Sequence, residues 1–371
     1  MKYLSYLLIL CFALFIACEN NDNDDDDNNS DNNQNTNTNN VVIIEDDIDQ
    51  VTTWSGDSIY IIKEYDFHVN NTLEIEPGAI IKFHPNDGPY MKLGQSGTII
   101  AKGTADNPII FTSYKDDAHG GDQNGDGDLT SPAPKDWGYI NTNSYNGSKF
   151  EYCEFYYGGE STYNSTLTIY GSNIHVKHCK FINNDGGYTS PAGDIGVLDA
   201  SDAGTGTIIQ NNIFYNNKRP LSISCEFDID TSNVFHNPDN VSETNEYNGI
   251  FVETINNVTA HRSWEENEVP FVIDDNDWHI RSGASLTLGD NVVLKFKPDS
   301  KMVLTDGISS LKNYDGPGVY FTSYKDDTKK GDTNADGDIT SPGDDDWIGI
   351  RDDQSSDYDY VTGSNILYDS Q

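Results

Sequence analysis

The chain has 371 residues, and 61 Asp+Glu against 22 Lys+Arg give it a formal net charge of −39. That balance excludes nucleic acid as a partner, because phosphate binding needs clustered Lys and Arg, and it excludes docking on anionic lipid through a basic patch. With 35% hydrophobic residues and 32 Gly, the composition is that of a folded chain and not of a disordered acidic one.

Lys2 supplies a positive charge ahead of YLLILCFALFIA, an apolar run too short to span a bilayer comfortably. The run ends in FIAC, with small Ala17 before Cys18. This resembles the lipobox of bacterial lipoproteins. The resemblance implies a signal peptide over 1–17, lipid on Cys18 and an outer-membrane address. The stretch that follows, ENNDNDDDDNNSDNNQNTNTNN, has no apolar residue, so residues 18–40 are expected to form a disordered tether. Its block Asp24–Asp27 resembles the export signal of surface-exposed lipoproteins in Bacteroidota, which implies exposure at the cell surface. The folded part is expected over 41–371.

A long-range duplication dominates that part. FTSYKDDAHGGDQNGDGDLTSPAPKDWGYI from Phe111 and FTSYKDDTKKGDTNADGDITSPGDDDWIGI from Phe321 share nineteen of thirty positions. Upstream, LEIEPGAIIKF from Leu73 aligns with LTLGDNVVLKF from Leu286, and Trp54 with Trp264. One module therefore runs about 54–140 and recurs at about 264–350. Between the copies, CEFYYGG, CKFINNDGG, NIFYNNKRP and NVFHNPDN space Phe155, Phe181, Phe214 and Phe235 by 26, 33 and 21 residues. Each unit is a short alternating strand followed by Asn, Gly and Asp turn residues, with no sustained helical period.

Cys153, Cys179 and Cys225 are an odd set and give no disulfide framework. Cys153 and Cys179 each stand two residues before a Phe, so each is expected to point inward with it and to stack as a buried thiol.

Short strands at this spacing fit a sandwich, a propeller or a solenoid. The Asn recurring after the strands favours the solenoid, where stacked coils bring like residues together and Asn side chains can bond in a ladder. TLEIEPGAIIKF, GTADNPIIFTS and the FTSYKDD…DW module resemble right-handed parallel β-helix proteins found among bacterial surface lipoproteins. The resemblance implies an all-β, right-handed parallel β-helix over 54–371 and says nothing about chemistry, since solenoids host lyases, hydrolases, adhesins and stalks. Coils of 21–26 residues predict about thirteen turns. The chain stops at NILYDSQ, in what reads as mid-coil, so either a longer chain or a partner at that end is expected.

GDQNGDGDLTSP and GDTNADGDITSP carry the strongest chemical signal. Asp122, Asn124, Asp126 and Asp128 alternate, as do Asp332, Asn334, Asp336 and Asp338, with Gly127 or Gly337 at the turn. Hard oxygens at this spacing suit calcium. The pattern lacks the closing Glu, for which Asp136 or Asp346 could substitute, or the pairs Asp116-Asp117 and Asp326-Asp327. The ion would be structural. Asp66/His68 and Asp277/His279 share a strand face, and Tyr156, Tyr157, Tyr163 and Tyr170 crowd one region that could stack on sugars. A lyase would need a base among Lys218, Arg219, Arg262, Arg281 and Arg351 beside an acidic cluster. The expected function is a non-enzymatic lipoprotein, anchored to the outer membrane at the cell surface, with structural calcium and a face that binds a polysaccharide or a surface protein. The alternatives are a calcium-dependent lyase or glycoside hydrolase, and the stalk of a larger adhesin.

Overall fold

The computed structural model describes residues 40–84, 89–143, 147–189, 193–253, 257–274, 277–354 and 359–370; the segments expected to be a signal peptide and a tether, with Cys18, lie outside the described residues except for Asn40, which opens the first strand. Every named element is a strand except one 3₁₀ turn, Ile308–Ser310. The strands are short, and their burial alternates: in Thr72–Ile75, Leu73 and Ile75 are buried while Glu74 is exposed. That period of two gives such strands one face for the interior and one for solvent, while Ser58–Ile62 and Ile109–Ser113 are buried at every residue.

Strands pair in parallel with the next coil, which requires crossovers and excludes a meander. Three faces result. A seven-stranded sheet runs from Asn40–Ile44 to Ile213–Tyr215, a ten-stranded sheet from Asp66–Val69 to Tyr320–Ser323, and a six-stranded sheet from Thr52–Trp54 to Ile208–Gln210. One coil visits them in turn, as Ser58–Ile62, Asp66–Val69 and Thr72–Ile75 do. The chain is a right-handed parallel β-helix. Beyond Gln210 two three-stranded sheets take over the shorter faces, ending in Leu311–Lys312 and Gly349–Asp352. The longest face has ten strands, fewer than thirteen uniform coils would give, because the loops at 114–139 and 324–348 draw residues out of the coils. A small antiparallel hairpin, His236–Asn237 with Asn240–Thr244, does the same.

The two module copies occupy different faces. Ile109–Ser113, which carries the first FTS, belongs to the seven-stranded sheet, whereas Tyr320–Ser323, which carries the second, belongs to the ten-stranded sheet. Likewise Ile80–Phe83 lies on the former and Val293–Phe296 on the latter. Tyr90–Leu93, one face after Ile80–Phe83, is the second strand of the ten-stranded sheet and Val293–Phe296 is the ninth. The copies are therefore seven coils plus one face apart.

Inside, like residues stack on like. Phe111, Phe155, Phe181, Phe214 and Phe235 form a continuous column with centroid steps of 5.0, 4.7, 5.1 and 5.4 Å. Each ring is fully buried, contributing about 1.5–3 kcal/mol by burial and about 0.5–1.5 kcal/mol more per stacked pair. The column two residues earlier reads Cys153, Cys179, Asn212, Asn233. Cys179 N–H donates to Asn212 Oδ1 at 2.9 Å, and Asn212 N–H and Nδ2 both donate to Asn233 Oδ1 at 3.1 Å. A second ladder links Asn184, Asn217 and Asn245 through Oδ1 acceptors at 2.9–3.3 Å. Such buried amides cost little because donors and acceptors are satisfied along the stack. All three described cysteines are free and buried. Burial, together with a hydrogen bond to Cys179, pushes the Cys153 thiol well above its usual range, and all three thiols are packed in the interior.

Candidate functional site

Each copy of the module throws out one long acidic loop, and in both a buried Lys bonds to an equivalent Gly carbonyl, of Gly121 or Gly331. Lys82 and Lys295 sit on the outward side of their strands yet are fully buried, because the loop folds back over them. Lys82 Nζ donates to the carbonyls of Asp116 (2.7 Å) and Gly121 (2.8 Å). Lys295 Nζ donates to Gly331 O (2.6 Å) and Thr333 Oγ1 (2.9 Å), and burial pulls its pKa down to about 8. Phe83 stacks on Trp137 at 4.2 Å and Phe296 on Trp347 at 4.1 Å, closing the two ends. The Lys of IIKF and VLKF was the sequence signal for this clamp, visible only as a shared letter between aligned strands.

The loops bring Asp117, Asp122 and Asp126 together in one copy and Asp327, Asp332 and Asp336 in the other, with one carboxylate oxygen of each within 4.8 Å of the rest. Asp122 accepts from Gly127 N–H and Gly125 N–H, which hold its carboxyl below the usual range. Asp117 and Asp327 are displaced upward, first by desolvation and then by the neighbouring Asp122 or Asp332. Asp117 Oδ1, Asp126 Oδ1, Asp327 Oδ1 and Asn334 Oδ1 are buried and accept no hydrogen bond. Several converging oxygens without a donor are the donor set a hard cation takes. Asn124 turns its Nδ2 toward Asp126 Oδ2 at 2.9 Å, as Asn334 does toward Asp336. Asp128 and Asp338 are exposed at the loop surface.

Asp136 and Asp346 belong to neither trio and are engaged elsewhere. Asp136 accepts from Ser113 Oγ (2.7 Å) and Ala133 N–H (3.0 Å) and pairs with Lys115 Nζ (2.7 Å). Asp346 repeats this with Ser323, Gly343 and Lys325. Asp116 and Asp326 are likewise engaged, by Thr112 and Thr322 at 2.5 and 2.6 Å. The second Asp of each KDD run joins the cluster instead.

Arg262 and Arg351 are also engaged. Arg262 grips Glu226 through Nε (3.0 Å) and Nη2 (2.9 Å), and Arg351 Nε bonds Asp353 at 2.6 Å. Arg281 is exposed and Lys218 half-buried. Arg219 lies over the rings of Phe251 (4.4 Å) and Tyr247 (5.0 Å), lining a hollow of about 110 Å³ with Glu253, Asp274 and Lys297. Lys297 there pairs with Asp274 at 2.5 Å. On the same sheet Asp199 is buried, which raises its carboxyl to about 6. The Asp/His pairs do not repeat as a unit: His68 Nε2 is 3.4 Å from Asp66, whereas Asp277 pairs with Lys301 at 2.7 Å.

The four clustered tyrosines form no row. Tyr156 bonds Glu154 at 2.7 Å and lies against His119, while Tyr163 and Tyr170 stand singly in solvent. The aromatic surface lies next door, where Tyr152 stacks on His178 with centroids 4.6 Å apart and planes 5° from parallel. They line a groove of about 300 Å³. Each directly precedes the cysteine of YCEF or HCKF, a repeat position the sequence displayed without showing that it faces outward.

Residues 46–170 match a family model described as a pectate-lyase-like beta-helix domain. The chain is a β-helix repeat protein. No curated protein and no solved structure gave a match to this β-helix chain.

Proposed function

We propose that this β-helix is a non-enzymatic scaffold, anchored at the cell surface through lipid on Cys18, with calcium pinning its two loops and a glycan bound on an outer face. The observation that carries the reading is the duplication. Both loops have the same carboxylate trio, the same Lys clamp and the same Trp closure, on different faces of the helix. A catalytic centre needs no second copy elsewhere, whereas a scaffold benefits from each loop being fixed. Asp117, Asp122 and Asp126, and Asp327, Asp332 and Asp336, would hold the ion, which neutralises carboxylates that otherwise repel. At about millimolar calcium and extracellular-range affinity, two sites add roughly 1–3 kcal/mol.

Chelator should therefore lower the melting temperature by roughly 2–5 °C, and Asp126→Ala with Asp336→Ala should remove that response. A melt indifferent to chelator would refute calcium. Labelled fatty acid should enter the wild type and not Cys18→Ser; equal labelling would end the lipoprotein reading.

A lyase or hydrolase is the second reading, favoured by Arg219 beside Asp274 and Glu253 in one hollow. Native electrophoresis through gels carrying embedded polysaccharide decides between them. Retardation without clearing is expected; clearing of the polymer would overturn the scaffold reading in favour of an enzyme. A protein that neither slows nor clears any polymer would be a stalk.

A further inference from the structure

We infer that the glycan site is the groove along the corner between the six- and seven-stranded faces, and that it takes a neutral sugar chain. The inference rests on the glycan-binding reading above. The groove is lined by Ala105, Pro108, Tyr152, His178, Lys180 and Asn211, which come from four successive coils. At about 4.8 Å per rung it runs on the order of 10–15 Å along the helix, long enough for more than one sugar ring. A volume of about 300 Å³ lies at the lower end of small-ligand sites.

Backbone conformation marks the same residues, as it marks Tyr157 at the turn that follows the next strand. Tyr152, His178 and Asn211 are equivalent turn positions on consecutive coils, and all three are left-handed, with φ of 51°, 54° and 58°. Asn tolerates that region, as Asn183 and Asn216 do at another turn. An aromatic residue there is strained. Stability alone would place Asn at 152 and 178, as at 211. The two rings are instead held parallel at the surface, Tyr152 half-buried and His178 exposed. Rings stacked face to face cover one another's inner faces and leave polar edges partly wet, and such hydrogen-bonding edges suit the hydroxyls of a sugar.

Charge sets the class of sugar. Lys180 Nζ pairs with Glu154 at 2.8 Å on adjacent rungs, leaving the groove floor without net charge, and the chain's overall −39 repels polyanions. A neutral, hydroxyl-rich chain fits both facts.

The test uses native gels with embedded linear β-glucan, α-glucan, mannan or polygalacturonate. Three proteins are compared: wild type, the double variant Tyr152→Asn/His178→Asn, and Ala105→Trp, which fills the groove from an exposed turn. At least one neutral polymer should retard the wild type, while both variants run free. The double variant should melt within about 2 °C of wild type, because relief of backbone strain offsets the lost ring stack. Variants retarded like wild type would overturn the groove and leave the glycan reading standing. Retardation by polygalacturonate alone would overturn the neutral class. If no polymer retards the wild type, the glycan reading fails and the groove with it.

Discussion

Phe181→Ala should lower the unfolding free energy by about 3–5 kcal/mol, the largest loss expected from one side chain here. The ring is fully buried between Phe155 at 4.7 Å and Phe214 at 5.1 Å. Its removal leaves a gap that neighbours on fixed rungs cannot close, so the transfer and cavity terms add. The position is central in the solenoid, where each coil touches only its neighbours. Urea titration should show a lower midpoint with unchanged slope. A reduced slope would mean that the two ends now unfold separately, and a loss below about 1 kcal/mol would contradict the column as a source of stability. Tyr163→Ala, at an exposed site, should stay within about 0.5 kcal/mol of wild type.

Glu266 should make stability fall as pH rises through the weakly acidic range. Its side chain is almost wholly buried, Oε1 accepts from Asn267 N–H (2.8 Å) and Glu268 N–H (2.6 Å), and Oε2 has no partner. Desolvation is the main cause that raises its carboxyl from 4.5 to about 7. Between those values the folded state holds a proton that the unfolded chain has released. The stabilising effect is complete below pH 4.5 and is lost as pH climbs to about 7, a swing on the order of 3 kcal/mol. Glu266→Gln keeps the acceptor oxygen and removes the titration. The difference in unfolding free energy between wild type and variant should follow that window, measured by urea titration at pH 4.5, 6 and 7.5. A pH-independent difference would show that Glu266 is not titrating there.

Much of this architecture was legible from single positions. The Phe spacing, the inward cysteines and the turn asparagines each announce stacking, because a solenoid repeats its interior coil by coil. The acidic alternation located the loops. What stayed hidden depends on how the loops fold back. Asp117 meets Asp122 and Asp126 only because Lys82 draws the chain over its own sheet, while Asp136, plausible by spacing, is consumed by Ser113 and Lys115. The change of face between modules was invisible because a constant offset of about 210 residues carries no angular information. The Tyr152–His178 groove went unseen because alternation marks residues as outward without saying which turns align.

The change of face also limits valency. The two acidic loops leave the solenoid after strands of different sheets, so a flat surface that meets one of them is turned away from the other. A planar partner that reached one loop would therefore gain no avidity from the second. Two partners approaching from different sides could each engage a loop, with the β-helix as a spacer between them.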